Sequence, residues 1–275
     1  MIKDLVVNLT VGADRDAAAE FAISIAEAFD AHIAGIAFAY DPVITPTVMD
    51  GVSAVWIDTQ REESRNTAQQ AIDKFEAHAK RSLLSAENRL IEASLGAAAS
   101  LLGRIARRFD LVVVGQTDPD RMAPDSLFIE AALFESGRPV MVVPYIRTEG
   151  LKLDRVLVCW DAGRNAARAV ADAMPFLVKS KAIEIVTISA AGSYDELPGA
   201  DIGEHLARHD LKVDVKRLVA ADLDVADTIL SHAADSGADL IVMGGYGHSR
   251  FREFVLGGAT KGILGSMTVP VLMSH

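Results

Sequence analysis

Phe109-Asp110-Leu111-Val112-Val113-Val114-Gly115 and Ala238-Asp239-Leu240-Ile241-Val242-Met243-Gly244 write the same pattern twice: an acid, a short apolar run, a glycine. A second landmark follows each. Arg138-Pro139-Val140-Met141-Val142-Val143 is echoed by Val269-Pro270-Val271-Leu272-Met273, and the earlier Asp4-Leu5-Val6-Val7-Asn8-Leu9 is answered by Asp154-Arg155-Val156-Leu157-Val158-Cys159. Three landmarks recurring in one order indicate a duplicated domain. Asp4 recurs 150 positions later as Asp154, and Asp110 recurs 129 positions later as Asp239. The first copy therefore carries about 21 extra residues, placed near Tyr40 to Arg65, where DPVITPTVMDGVSAVWIDTQ interrupts the pattern. The expected domains are 1–146 and 152–275, divided near Pro144 to Lys152.

Runs such as VLVCW, LIVMGG and VPVLMS are too short and too uniformly apolar for surface helices, and suit strands covered on both faces. In the second half, strands are expected near 154–160, 182–189, 212–219, 239–244 and 268–273. Helices are expected near 164–178, 198–209, 223–235 and 258–266. Strands alternating with helices make a parallel sheet with right-handed crossovers. The expected fold class is α/β: two tandem five-stranded, doubly wound, Rossmann-like domains of strand order 3-2-1-4-5. Their ligands would sit where that order reverses, between the carboxyl ends of strands one and four.

Composition sets outer bounds. With 275 residues, half of them hydrophobic, the chain can fill two cores. The net charge of −11 argues against non-specific nucleic-acid binding, which needs a basic face. No apolar run reaches the roughly 18 residues of a membrane helix, and MIKDLVVNLT is read as a first strand rather than a signal peptide. A single cysteine, Cys159, allows no internal disulfide and fits a reducing compartment, so a cytoplasmic location is expected.

The chemistry concentrates after strand four of the second half. Gly244-Gly245-Tyr246-Gly247 ends the strand, nine residues from His248 to Leu256 follow, and Gly257-Gly258-Ala259-Thr260 opens the next helix. Glycines at a strand end let backbone approach a ligand, and a helix amino terminus presents unpaired N–H groups to an anion. A glycine-rich turn that binds nothing is the alternative at this level. The spacing is neither a P-loop nor a G-x-G-x-x-G fingerprint.

In these residues the chain resembles a tandem universal stress protein. Gly244, Gly247 and Gly257 match that family's G-x2-G-x9-G-[ST] ATP motif, and the following T-V-P-V-L strand is typical of it. Asp161 matches the family's adenine-contacting acid, and Ile188 the position whose backbone contacts adenine. Gly258 stands where the family has a hydroxyl residue, which removes one phosphate donor and leaves a backbone N–H. The resemblance implies an adenine nucleotide, ATP, ADP or AMP, with Mg as the ion that would accompany it. The residues expected to hold it are Asp161, Ile188, Met243, Gly244, Gly247, His248, Gly257, Gly258, Ala259 and Thr260. It also implies a stress-response regulator rather than an enzyme, with an unidentified protein partner, while the charge and the short apolar runs already argue against nucleic acid and membrane as partners. The last strands of the two copies would pair edge to edge, giving an intramolecular pseudo-dimer, and the whole chain could dimerise further.

The halves differ. The first copy's loop runs Gly115-Gln116-Thr117-Asp118-Pro119-Asp120-Arg121-Met122-Ala123-Pro124-Asp125-Ser126, with Asp118 at the second glycine position. It holds three acids and one arginine, whereas the loop from Gly244 to Gly257 holds two arginines and one acid. A phosphate would be repelled by the first and attracted by the second, so the nucleotide is assigned to the second domain. Two further readings stay open: a slow ATPase or phosphotransferase, for which no general base is evident, and a nucleotide-free scaffold or apolar-ligand carrier using the Tyr40–Gln60 insertion. His205 and His209, four apart, could share a helix face but lack a third metal ligand, and Cys159 is read as a buried, inert thiol.

Overall fold

The computed structural model describes residues 1–42, 53–121, 125–190, 199–220, 224–246 and 258–275. The chain divides into two compact units, Met1–Arg138 and Pro139–His275. The division falls just before the last strand of the first sequence repeat.

The first unit contains β1 (Asp4–Asn8), α1 (Ala17–Phe29), β2 (His32–Tyr40), α2 (Ala54–Arg81), β3 (Ala86–Ala93), α3 (Leu95–Ala106), β4 (Leu111–Gly115) and α4 (Asp125–Glu135). β1 pairs in parallel with β2 and with β4, and β2 pairs in parallel with β3, so the order is β3-β2-β1-β4. The central strands read as apolar runs because both faces are covered: Leu5, Val6 and Val7 are fully buried, as are Leu111, Val112 and Val113. β3 is paired on one side among the described residues and carries Glu87, Asn88, Arg89 and Glu92, the polar composition that protects a strand edge.

The second unit opens with β5 (Val140–Val143), the last strand of the first repeat. Then follow β6 (Arg155–Cys159), α5 (Arg164–Lys179), β7 (Ala182–Ala190), α6 (Ala200–Ala207), β8 (Val213–Ala220), α7 (Val225–Ser236), β9 (Leu240–Gly244), α8 (Ala259–Ser266) and β10 (Val271–Ser274). Parallel pairing gives β8-β7-β6-β9-β10, the expected 3-2-1-4-5. β5 joins beyond β10 as the antiparallel member, with Val142 opposite Val271 and Val140 opposite Met273. All four residues of β5 and of β10 are buried, which is how the expected edge-to-edge pairing removes two apolar edges from water.

The extra residues of the first copy lie between β2 and β3, as the offsets indicated. Residues 41–85 separate those strands, against 191–212 between β7 and β8, a difference of 23. Part of the segment read as an interruption is helix. α2 runs for 28 residues from Ala54, where α6 has 8. Ser53 caps α2 by accepting the Trp56 amide at 3.2 Å, so 54–60 is the helix's first two turns, and Val55 and Trp56 stand exposed on it. Residues 43–52 of that segment lie outside the described residues.

Candidate functional site

The carboxyl ends of β6 and β9 are neighbours, since Val156, Leu157 and Val158 pair with Leu240, Ile241 and Val242. From β6 the sheet continues to β7 on one side, and from β9 to β10 on the other, so the strand order reverses here. This is the crevice where doubly wound sheets take ligands.

Asp161 follows β6 by two residues. Its side chain is exposed, and its Oδ1 accepts the Gly163 amide at 2.8 Å, which fixes it over the start of α5. The turn holds Ala162 at φ 57°, and a Cβ on Gly163 would come within 2.8 Å of the same carboxylate oxygen and displace it. Ile188, near the end of β7, is half-buried opposite Leu218. Met243 is buried in β9.

Gly244 ends β9 against the first turn of α5. A Cβ there would lie 2.6 Å from the Ala166 nitrogen and 2.7 Å from the Asn165 carbonyl carbon. Close approach of a helix backbone is thus one reason for this glycine. Gly245 continues the turn, with its amide donating to the Ser274 carbonyl at 2.9 Å. The Gly245 carbonyl accepts the buried Asn165 side-chain amide at 2.7 Å and lies 3.1 Å from His275 Nδ1. Tyr246 adopts φ 49°, and its amide donates to Thr260 Oγ1 at 3.1 Å.

That last bond ties the end of β9 to the first turn of α8. Gly258 is the N-cap residue of α8 and provides no side-chain cap, so the amides of the first turn have no partner from that residue. Gly258 and Ala259 are half-buried and Thr260 is buried. The Thr260 hydroxyl accepts the Tyr246 amide and keeps its own proton to donate. Gly247, His248 and Gly257, together with Arg250 and Arg252, lie outside the described residues.

The structure adds Asn165 and His275, which secure the Gly245 carbonyl. They are 80 and 30 residues from Gly245, and no spacing signals them. Cys159 is half-buried and free, and burial, aided by the Asp161 charge, pushes its thiol up to about 12, the inert state expected of it. His205 and His209 pack edge to face, ring centroids 5.0 Å apart. Among the described residues no group of three metal-ligating side chains occurs, and no helix is long and apolar enough to cross a membrane.

The first unit builds the corresponding end of its sheet differently. Asp16, half-buried, caps α1 by accepting the Ala19 amide at 3.0 Å and also takes the Thr10 amide and hydroxyl. After β4, Arg121 donates to the Val11 carbonyl at 2.8 Å. Phe38 of β2, fully buried, packs against Phe128 of α4 with ring centroids 5.3 Å apart.

Comparison with known proteins agrees with this architecture. The profile of the universal stress protein family matches residues 152–275. A universal stress protein of Synechocystis is 25% identical over 171 residues, covering 60% of this chain and 57% of the relative, so the chain spans little more than half of that protein. The crystal structure of a universal stress protein from Archaeoglobus fulgidus superposes with a TM-score of 0.69 at 18% identity, covering 98% of this chain and 95% of that one. A functionally unknown protein from Pseudomonas aeruginosa PAO1 superposes at 0.63 and 14% identity, covering 99% and 92%. Those two likenesses run the length of the chain and show the fold in tandem, and residues 152–275 match the universal stress protein family profile.

Proposed function

We propose that the second domain binds an adenine nucleotide and that the chain acts as a stress-response regulator rather than as an enzyme. One observation carries the reading. The Tyr246–Thr260 bond brings the amino terminus of α8 onto the carboxyl end of β9, and Asp161 lies exposed two residues beyond β6, the strand paired with β9. One side of the crevice thus offers an acceptor suited to the amino group of a base or to ribose hydroxyls. The other offers helix-terminal amides suited to phosphate. In this reading Asp161 and the Ile188 backbone hold adenine, and Met243, Gly244, Gly258, Ala259 and Thr260 line the ribose and phosphates. Gly247, His248 and Gly257 complete the loop, and Mg accompanies the phosphates. The family match of residues 152–275 supports placing the site in this domain.

Calorimetry with ATP, ADP and AMP tests the assignment. Asp161→Asn should weaken all three nucleotides by about tenfold or more, the scale of one charge-assisted hydrogen bond. Binding indifferent to Asp161 would refute the site. Phosphate release after ATP addition, set against Gly257→Val, separates a regulator from a slow ATPase: the regulator releases none above background.

A further inference from the structure

We propose that four arginines of the first unit, Arg104, Arg107, Arg108 and Arg138, form a docking surface for a short acidic segment of a protein partner. This goes beyond the nucleotide reading of the second domain and does not require it.

The surface is built where α3 and α4 end. Gly103 lets the two helices lie close, since a Cβ there would come 2.8 Å from Glu135 Cβ and 3.0 Å from the Ala131 carbonyl oxygen. Beyond α4, Gly137 turns the chain at φ 67°, and the buried Ser136 hydroxyl accepts the Arg138 amide at 3.0 Å, which fixes where Arg138 leaves the backbone. The two helix ends are then tied to each other. Arg138 directs Nε and Nη2 onto the Arg107 carbonyl at 3.0 and 2.8 Å, and Arg107 directs Nε onto the Glu135 carbonyl at 2.9 Å. Each guanidinium is held by one edge, and its other N–H groups remain for an outside acceptor. Arg104 stands one helical turn before Arg107, and the Arg108 guanidinium lies over the Phe109 ring, 5.4 Å from its centroid.

Four cations thus gather at one corner of a chain whose net charge is −11. Among the described residues no carboxylate forms an ion pair with any of them. Glu135 and Asp110, close in sequence, are engaged otherwise: Glu135 Oε1 accepts the Ser100 hydroxyl at 3.0 Å, and Asp110 Oδ2 accepts the Lys3 and Asp4 amides at 2.9 and 3.1 Å. Helix-terminal carbonyls account for Arg107 and Arg138, because the carboxyl end of a helix favours cations. They do not account for Arg104 and Arg108. Nor does the fold call for arginine here. In the second copy the corresponding residues are Ala233, Ser236, Gly237 and Val269, and Gly237 closes α7 in the left-handed conformation at φ 66°. Like charges gathered without a counter-charge repel one another, so an anion from outside completes the arrangement.

Charge and reach select that anion. Arginine forks match carboxylates edge to edge. Arg104, Arg107 and Arg108 are exposed and Arg138 is half-buried, so all four meet solvent. At physiological salt, exposed charges more than about 8 Å apart are largely screened. A short run of Asp or Glu therefore feels the arginines alone. A nucleic acid or an anionic bilayer extends well beyond that distance and would face the acidic remainder of the chain.

Amide NMR of the whole chain, titrated with hexaglutamate at pH 7, tests this. The amides of residues 104–110 and 136–138 should shift, and added salt should weaken the binding. Arg104→Ser/Arg108→Ser spares the two arginines that tie the helices and should weaken hexaglutamate about tenfold, the scale of two exposed ion pairs, with the other resonances in place. Arg104→Lys/Arg108→Lys keeps the charge and should recover part of the affinity. No binding, shifts centred on other residues, or equal affinity in the Ser variant would overturn the proposal. So would a hexathymidylate oligonucleotide or phosphatidylserine vesicles that engage the same amides as tightly as hexaglutamate, because the surface would then serve a nucleic acid or a membrane.

Discussion

A Cβ placed on Gly244 would meet the backbone of Asn165 and Ala166 at 2.6–2.7 Å, and backbone atoms at a helix amino terminus cannot rotate aside as a side chain can. Gly244→Ala must therefore shift α5 away from β9, at a cost of about 1–3 kcal/mol. Urea unfolding reads this directly, and a loss below a few tenths would mean that the helix moves freely. Gly258 answers to the opposite physics. Its φ of −51° and ψ of 157° suit any residue, and as the N-cap of α8 it offers no hydroxyl. Gly258→Ser should stabilise the chain by about 0.3 kcal/mol through capping. In the proposed site it should also tighten ATP by about tenfold by restoring a donor. A gain in stability with unchanged ATP affinity would show that the cap does not face phosphate. Gly244 opens the spacing G-x2-G-x9-G and is held by packing, whereas Gly258 directly follows that spacing with backbone angles any residue adopts. Pattern alone could not separate them, because the atoms that crowd Gly244 come from a helix about 80 residues earlier.

At the scale of elements, β7 is pinned by a buried charge. Glu184 is nearly inaccessible, and around it stand Lys216 of β8 at 3.1 Å, Arg155 of β6 at 3.3 Å and His232 of α7 in hydrogen-bond contact. Burial works to raise its carboxyl, but the bonds and charges of His232 and Lys216 outweigh that and hold it below the usual range. Such a depressed group stabilises the fold above its unfolded value, about 4.3, and the contribution is lost as pH falls through the lower folded value. Glu184→Gln should cost about 2–3 kcal/mol at pH 7, discounted because Arg155 and Lys216 reach water. The gap to the native chain should close in acid. Urea melts at pH 7 and pH 3 check it, and a pH-independent gap would assign the loss to packing. The strands themselves were readable because parallel strands buried on both faces leave uninterrupted Val, Leu and Ile runs, as in β6 and β9. The start of α2 was not, because Val55, Trp56 and Ile57 favour strands and the Ser53 cap follows a proline-rich stretch. In the proposed site, the opening of α8 was read from the glycine-rich strand end and helix start, and Asp161 from the family resemblance. The Asn165–Gly245–His275 contacts were not legible, since they depend on groups brought together by the fold rather than by a motif.

For the whole molecule, the place of β5 matters more than the place where the sequence repeat ends. β5 completes the second compact unit by pairing antiparallel with β10, Met141 opposite Leu272, and every residue of both strands is buried. Without β5, the Val271–Ser274 edge would expose unpaired amides and carbonyls beside apolar side chains, which is the arrangement that recruits another strand. A polypeptide of residues 139–275 should therefore keep the β10 edge covered and not associate through it. One beginning at Lys152, the boundary suggested by the repeat, should either dimerise through β10 or lose stability. Sedimentation of the two over a hundredfold range of concentration distinguishes them. Antiparallel self-pairing of β10 would let one copy supply the other with the edge that β5 supplies in the intact chain. Substituting Leu272→Lys in the shorter polypeptide should then abolish association, because each copy would bring a charge to the paired edge. A shorter polypeptide that stays monomeric and as stable as the longer one would show that β5 is dispensable, and that the second domain's sheet is complete at five strands.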